Sequence, residues 1–378
     1  MGKRVLLCLA HMSGNEQKFI DEAFADNWVV PLGPNVNGFE QDLEKFVGRD
    51  KRVVALSAGT AAIHLGLVEL GVKAGDEVIC QSFTFSASAN PVTYQGATPV
   101  FVDSEPQTWN MSPELLEQAI IDRKYKTGKY PKAIVIVHLY GMPAKIDELL
   151  AVADKYGIPV LEDAAEALGS KYDGHYCGTF GKYGALSFNG NKMITTSGGG
   201  ALIVPDDEAK KSVMFYATQA RENFPYYQHE KIGYNYRMSN ICAGIGRGQM
   251  TILEEHIAHH KHVHAKYSEL FADIDGITLH SNPTDKSDSN YWLCNITIDE
   301  EKTGFDYEQL RQYLDKNDIE SRPLWKPMHL QPVFKSCPAY VNGVSEGLFK
   351  RGLCLPAGPW VTDADLKKIA DCIKALHK

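Results

Sequence analysis

Two segments carry side chains that could do chemistry together. The run Ala185-Leu-Ser-Phe-Asn-Gly-Asn-Lys192 leads an apolar stretch into a polar turn that presents one lysine, and Thr195-Thr-Ser-Gly-Gly-Gly200 follows. The run Ile158-Pro-Val-Leu-Glu-Asp163-Ala-Ala-Glu166 ends an apolar stretch in carboxylates. A lysine at a strand end among neutral side chains can be desolvated and made nucleophilic, which Schiff-base chemistry needs. A carboxylate on a neighbouring strand end is the second group that pyridoxal phosphate requires, because it pairs with the pyridinium nitrogen and keeps it protonated. Strand-end lysines and aspartates are common and mostly solvated, so the pair alone does not decide the matter.

Other residues fit the same cofactor. Ser57-Ala-Gly59-Thr60 joins an apolar run to the start of a helical pattern. Small residues and a hydroxyl there make a phosphate cradle, in which backbone N–H groups and the helix dipole favour an anion. Ser187, just before Lys192, offers a second hydroxyl, and Phe83-Thr-Phe85 offers a ring to stack on a flat ligand.

The elements that must position these residues can be read from hydrophobic pattern. Strands are expected at 53–57, 77–80, 99–103, 133–140, 159–163, 185–188 and 201–204. Several are continuous apolar runs, as in a parallel sheet covered on both faces. Helical patterns lie between them: 60–70, stopped by Gly71, and one opened by Ser112 as N-cap with Pro113 in the first turn. Alternating strands and helices predict an α/β layer fold that binds ligands at the carboxyl ends of its strands. Past residue 205 the texture changes. Residues 238–270 read as one long helix or two joined ones, then come weaker strands at 278–279 and 291–298, a helix at 307–316, a Pro-rich loop at 322–332 and a last helix at 362–376. The division this suggests is a large domain, 1–250, and a smaller α/β domain, 251–378.

Composition bounds the class. The chain has 378 residues, 44% hydrophobic and 23% charged, with a net charge of −8. This is ordinary for a globular protein and argues against disorder, coiled coil and nucleic acid as the main partner. No run approaches the length of a membrane span. The apolar run 5–10 is short for a signal peptide and reads as the first segment of the fold. Gly2 lacks the Ser or Thr that myristoylation wants, since Leu6 stands there. Eight scattered cysteines form no CxxC pair, which favours reduced thiols and a cytoplasmic location.

Several signals are set aside. His256, His260 and His264 would share one helix face, but HExxH is absent and a solvated histidine-rich helix is the expectation, with no metal. Gly244-Ile-Gly-Arg-Gly248 follows a helical pattern rather than a strand, so it is not a dinucleotide loop. No nucleophile elbow accompanies a Ser-His-Asp set.

The ordered motifs resemble the DegT/StrS-type nucleotide-sugar aminotransferases. They are Trp28-Val-Val-Pro-Leu-Gly33, Ser57-Ala-Gly-Thr-Ala-Ala62, Ser82-Phe-Thr-Phe85, His138-Leu-Tyr-Gly141, Glu162-Asp-Ala-Ala-Glu166, Ser187-Phe-Asn-Gly-Asn-Lys192, Gly233-Tyr-Asn-Tyr-Arg237 and Arg322-Pro-Leu-Trp-Lys-Pro-Met-His329. The resemblance implies the aspartate-aminotransferase fold (fold type I), with a mostly parallel seven-stranded sheet in the large domain. It implies Lys192 as the lysine that links pyridoxal phosphate and Asp163 as the pyridinium partner. Phe85 would stack on the ring, and Gly59, Thr60 and Ser187 would hold the phosphate. Asn235 would reach that phosphate from the other subunit of a homodimer. Glu166 stands where a glutamine is common beside the cofactor's 3′-oxygen. Arg237, Lys326 and His329 are the candidates for the sugar-nucleotide site, since a diphosphate needs cations. The branch most resembled makes UDP-linked 4-amino-4,6-dideoxy-N-acetylglucosamine, with L-glutamate as donor and the C4 ketone of a UDP-4-keto-6-deoxy sugar as acceptor. GDP-perosamine synthases share much of the pattern, and an aminotransferase acting on a dTDP-linked keto-sugar is a further alternative. Dehydratases of the family carry histidine in place of the lysine, and a regulatory reading would not need Lys192, Asp163 and the cradle all intact.

Overall fold

The structure, a computed structural model, describes residues 4–377, so Gly2 lies outside the described residues. Before residue 205 the large sheet takes β1 (Arg52–Leu56), β2 (Glu77–Gln81), β3 (Thr98–Val102), β4 (Ala133–Val137), β5 (Val160–Asp163), β6 (Tyr183–Ser187) and β7 (Gly200–Val204). Later in the chain the two larger sheets take β8 (Ile277–Leu279), β9 (Cys294–Ile298), β10 (Arg322–Pro323), β11 (Ala339–Tyr340) and β12 (Gly352–Leu355), while the two-residue strands Lys171–Tyr172, His175–Tyr176 and Ser287–Asp288 form a small sheet of their own.

The large sheet runs in the order β1-β7-β6-β5-β4-β2-β3-β11. From β6 to β11 every pair is parallel, while β7 is antiparallel to both β6 and β1. The sheet therefore has eight strands rather than the seven expected. The extra one, β11, is two residues long and covers the edge of β3, accepting the Phe101 and Asp103 N–H groups on the carbonyls of Pro338 and Tyr340. An otherwise open edge is closed in this way.

Continuous apolar strands account for the double covering. Ala-Ile-Val-Ile-Val in β4 and Gly-Ala-Leu-Ile-Val in β7 are buried at every residue. The helix Gly59–Glu69 lies close on this sheet because Gly66 has no side chain: a Cβ there would stand 2.3 Å from Leu161 Cδ1. The strand expected at 133–140 stops at Val137. His138 turns inward to Glu162, Asn110 Oδ1 accepts the Leu139 N–H at 2.9 Å, and Tyr140 takes φ 54°. These side-chain bonds replace the ladder.

The region 238–270 is two helices, Asn240–Met250 and Leu253–Phe271. Gly244, Gly246 and Gly248 lie inside the first. A Cβ on Gly248 would meet Glu16 Cα at 2.7 Å, so this glycine run lets the helix pack against Glu16–Ala25. The second sheet, β8-β9-β12-β10, is antiparallel throughout. Helices Leu253–Phe271, Tyr307–Lys316 and Asp363–Leu376 enclose its core through Val263, Tyr267, Leu310, Leu314 and Ile369. Two segments cross the division expected at 250/251: Val5 pairs with Ile319 in the smaller unit, and β11 joins the large sheet.

The histidine face corrects one expectation. His256, His260 and His264 are buried, not solvated. Each gives a ring N–H to a backbone carbonyl: His256 Nδ1 to Met193 at 3.0 Å, His260 Nδ1 to Tyr291 at 3.1 Å and His264 Nε2 to His280 at 3.0 Å. Buried imidazoles are tolerated when hydrogen-bonded in this way. Among the described residues no cluster of His, Cys, Asp and Glu could hold a metal, and no helix is long and apolar enough to cross a membrane.

Candidate active site

Adjacent parallel strands bring the chemistry together. Asp163 is the last residue of β5 and pairs with Ala185 of β6, and β6 ends at Ser187, just before the loop that carries Lys192. The helix Gly59–Glu69 begins at the same sheet end. A cavity of about 380 Å³ opens there, and its walls include Gly59, Thr60, Phe85, Asp163, Glu166, Ser187 and Lys192.

Asp163 is buried and has few partners. Ser88 Oγ donates to Oδ2 at 2.6 Å and Ala165 N–H to Oδ1 at 3.2 Å. Thr84 stands 2.7 Å behind Ser88, completing a hydroxyl chain. Burial raises the Asp163 pKa, and these donors with Lys192 oppose the rise. Glu166 is also buried and raised by burial, with Lys192 pulling the other way. Its Oε2 accepts the Tyr140 N–H at 2.6 Å, and its Oε1 lies 3.3 Å from Lys192 Nζ. The ammonium also stands 4.1 Å from the centroid of the Trp292 ring, a favourable place for a cation.

Beneath these groups lies a third buried carboxylate. Glu162 accepts from His138 Nε2 at 2.8 Å and from the N–H groups of Gly178, Phe180 and Gly181. Ala144 N–H donates to His138 Nδ1 at 3.1 Å, so the imidazole keeps its proton on Nε2. This pair fixes the floor of the sheet end where Asp163 emerges.

Four residues singled out from the sequence do not line this cavity. Lys326 lines an adjoining cavity of about 310 Å³, which shares Thr84, Phe85 and Trp325 with the first. His329 is held away from it, with Nδ1 2.6 Å from Ser82 Oγ. Arg237 bridges Leu56, and its buried Nε has no hydrogen-bond partner among the described residues. Asn235 is exposed beside Thr218, on a segment whose Tyr226, Tyr227 and Ile232 are exposed too. Conversely, sequence reasoning missed Trp292, Trp325 and Asn191 on the cavity wall. Trp325 stood within the quoted 322–329 motif, whereas nothing near Trp292 signals its place.

A model of the DegT/DnrJ/EryC1/StrS aminotransferase family matches residues 11–374. The chain belongs to this family. It is 47% identical over 377 residues to EpsN of Bacillus subtilis (strain 168), named as a pyridoxal phosphate-dependent aminotransferase, covering 99% of this chain and 96% of the relative. It is 34% identical to the GDP-perosamine synthase of Escherichia coli O157:H7, covering 97% and 96%. The fold matches a crystal structure of a DegT DnrJ EryC1 StrS aminotransferase from Brucella abortus with a TM-score of 0.89 at 31% identity, covering 96% and 95%. As an aminotransferase of this family, the protein uses pyridoxal phosphate and has the type I fold.

The donor set fits that cofactor. No side chain caps the helix Gly59–Glu69, because its N-cap is Ala58, so the first N–H groups face the cavity uncapped beside the hydroxyls of Thr60 and Ser187. That end suits a phosphate. At the other end the buried, sparsely bonded Asp163 suits a cationic ring nitrogen, and Lys192 offers an amine.

Proposed function

We propose that this aminotransferase takes an amino group from L-glutamate and delivers it to C4 of a UDP-linked 4-keto-6-deoxy-N-acetylhexosamine. The observation that carries the reading is the meeting of Lys192, Glu166, Asp163 and an uncapped helix start in one cavity, with a second compartment joined to it through Phe85 and Trp325. The second compartment suits the nucleotide-sugar part, with Lys326 as its cation and the Phe85 and Trp325 rings, 5.5 Å apart, as apolar walls. A GDP-linked acceptor is the second reading, favoured by the likeness to a GDP-perosamine synthase.

When bound, pyridoxal phosphate supplies an electron sink for the carbanion that forms as a proton leaves the donor. Gly59, Thr60 and Ser187 would hold the phosphate, and Phe85 would offer an apolar wall to the ring. The Asp163 carboxylate would keep the ring nitrogen protonated. Lys192 Nζ would hold the cofactor and, as a free amine, would take the proton from the donor α-carbon and return one at C4 of the acceptor. Glu166 Oε1 holds Nζ in the interval. Arg237 and His329 would serve the substrate side after a second copy of the chain has packed on the exposed residues of the 218–237 segment, such as Tyr226, Tyr227 and Ile232, which would also bring Asn235 to the partner's phosphate site.

The test is an absorbance titration of purified protein with pyridoxal phosphate. A band near ~420 nm that falls with L-glutamate and returns with the UDP-keto-sugar supports the reading. Return only with the GDP-linked ketone moves it to the second reading. No band at all overturns both.

A further inference from the structure

Lys192 sits in an irregular loop between β6 and β7, where no ladder or helix holds the backbone. Its own N–H bonds within the turn, to Asn189 O at 3.0 Å. The peptides on either side are held from elsewhere. Trp292 Nε1 donates to the Asn191 carbonyl at 2.6 Å. His256 Nδ1 donates to the Met193 carbonyl at 3.0 Å.

The geometry fixes the ring protons. A carbonyl only accepts, so His256 carries hydrogen on Nδ1. Burial lowers its pKa and keeps the ring neutral, which leaves Nε2 as an acceptor. His11 Nδ1 stands 3.1 Å from that Nε2 and donates to it. The His11 carbonyl in turn accepts from Gln249 Nε2 at 2.8 Å, and Gln249 Oε1 accepts the Thr195 N–H at 3.2 Å. The N-terminal segment and two helices thus grip the loop at Met193 and Thr195, and Trp292 grips it at Asn191.

We propose that Trp292 and His256 are positioning residues for Lys192, each fixing the amine by donating a ring N–H to the carbonyl of one of its two neighbours. This rests on the reading of Lys192 as the lysine that links the cofactor. Reaction at a positioned amine is steep in geometry, since a shift of about 1 Å can cost about a hundredfold. A merely structural role would instead weaken every property of the site together.

The test compares covalent linkage with simple binding in full-length protein freed of cofactor. Linkage of pyridoxal phosphate to Lys192 is followed by absorbance and mapped by borohydride reduction and peptide mass. Binding of pyridoxamine phosphate, which has no aldehyde to link, is measured alongside. In Trp292→Phe and His256→Phe the linkage rate falls at least about tenfold, while pyridoxamine phosphate affinity falls by a clearly smaller factor. His256→Asn keeps an N–H near the Nδ1 position and restores the rate to within about twofold of the parent. Linkage at the parental rate in both Phe variants, or an equal loss of pyridoxamine phosphate binding, overturns the proposal; so does a His256→Asn protein as slow as His256→Phe. Trp292→Phe keeps an aromatic ring in place and decides the matter if His256→Phe does not fold. A parent protein that links no cofactor at Lys192 defeats the functional reading as well, whereas a linked parent with unaffected variants defeats this inference alone.

Discussion

Glu166 holds Lys192 through one oxygen and the peptide of Tyr140 through the other: Oε1 lies 3.3 Å from Nζ, and Oε2 accepts the Tyr140 N–H at 2.6 Å. A carboxylate oxygen at this distance pairs with the amine and restrains its approach to an electrophile. Glu166→Gln keeps an oxygen for Tyr140 and removes the charge. The expected outcome is a Lys192 released from its ion pair, with labelling by an acylating reagent at a fixed neutral pH faster by about threefold or more in cofactor-free protein. Quantitative peptide mass spectrometry reads this directly, and an unchanged labelling rate would show that Glu166 does not restrain the amine.

Asp163 illustrates a stability cost held at a functional site. Burial raises its pKa, despite Ser88, the Ala165 N–H and Lys192. With the folded pKa above the unfolded one, the unfolded chain releases its proton first as pH rises. Stability is therefore full below the ordinary aspartate value and is lost as pH rises from there through the higher folded value. Asp163→Asn removes the charge and is expected to stabilise the cofactor-free protein at neutral pH by about 1 kcal/mol. On the role proposed for Asp163, turnover should fall by about a hundredfold or more, since a bound ring nitrogen would lose its anionic partner. Urea unfolding and steady-state rates on the same preparation check both halves.

Glu162 has the opposite sign. Burial pushes its pKa up, but His138 and the N–H groups of Gly181 and Gly178 outweigh that and hold it below the ordinary range. This contribution is present above the unfolded value and lost as pH falls through the folded one. Each carboxylate oxygen faces two donors: His138 Nε2 and Gly178 N at one, Phe180 N and Gly181 N at the other. Glu162→Gln must turn an NH2 toward one of these pairs. A loss of about 3 kcal/mol or more is expected in urea unfolding, and a loss below about 1 kcal/mol would mean that the loop 178–181 relaxes around the amide.

Much of the site is legible in the sequence because it sits where chain direction dictates. Gly59, Thr60, Phe85, Asp163, Glu166, Ser187 and Lys192 all follow apolar strand runs, and parallel strands deliver their carboxyl ends to one edge. Trp292 and His256 are different. Their partners at Lys192 are backbone carbonyls, which any residue supplies, so no side-chain pattern marks the contact. The histidine face was misread for a related reason. Polar residues at helical spacing look solvated until each ring finds a carbonyl on a distant element. The edge strand β11 was invisible because two residues carry no periodicity.

The buried histidines make the fold sensitive to acid. Burial lowers His260 to about 3 and His280 to about 4. His260 gives Nδ1–H to Tyr291, and His280 stacks on Trp109 with centroids 3.7 Å apart and faces the Gln107 carbonyl through Nε2. With folded values below the unfolded one near 6.5, the unfolded chain takes up protons first as pH falls. Stability is therefore full above that value and lost progressively below it. Between pH 6.5 and 5 the loss is about 2 kcal/mol for each ring, set by about 1.4 kcal/mol per pH unit. Urea midpoints at pH 7 and pH 5 measure the sum. His260→Gln keeps a donor without a proton-binding ring, and its midpoint should shift less between the two pH values than the parent's. An equal shift would mean that His260 is already accessible to protons in the folded state.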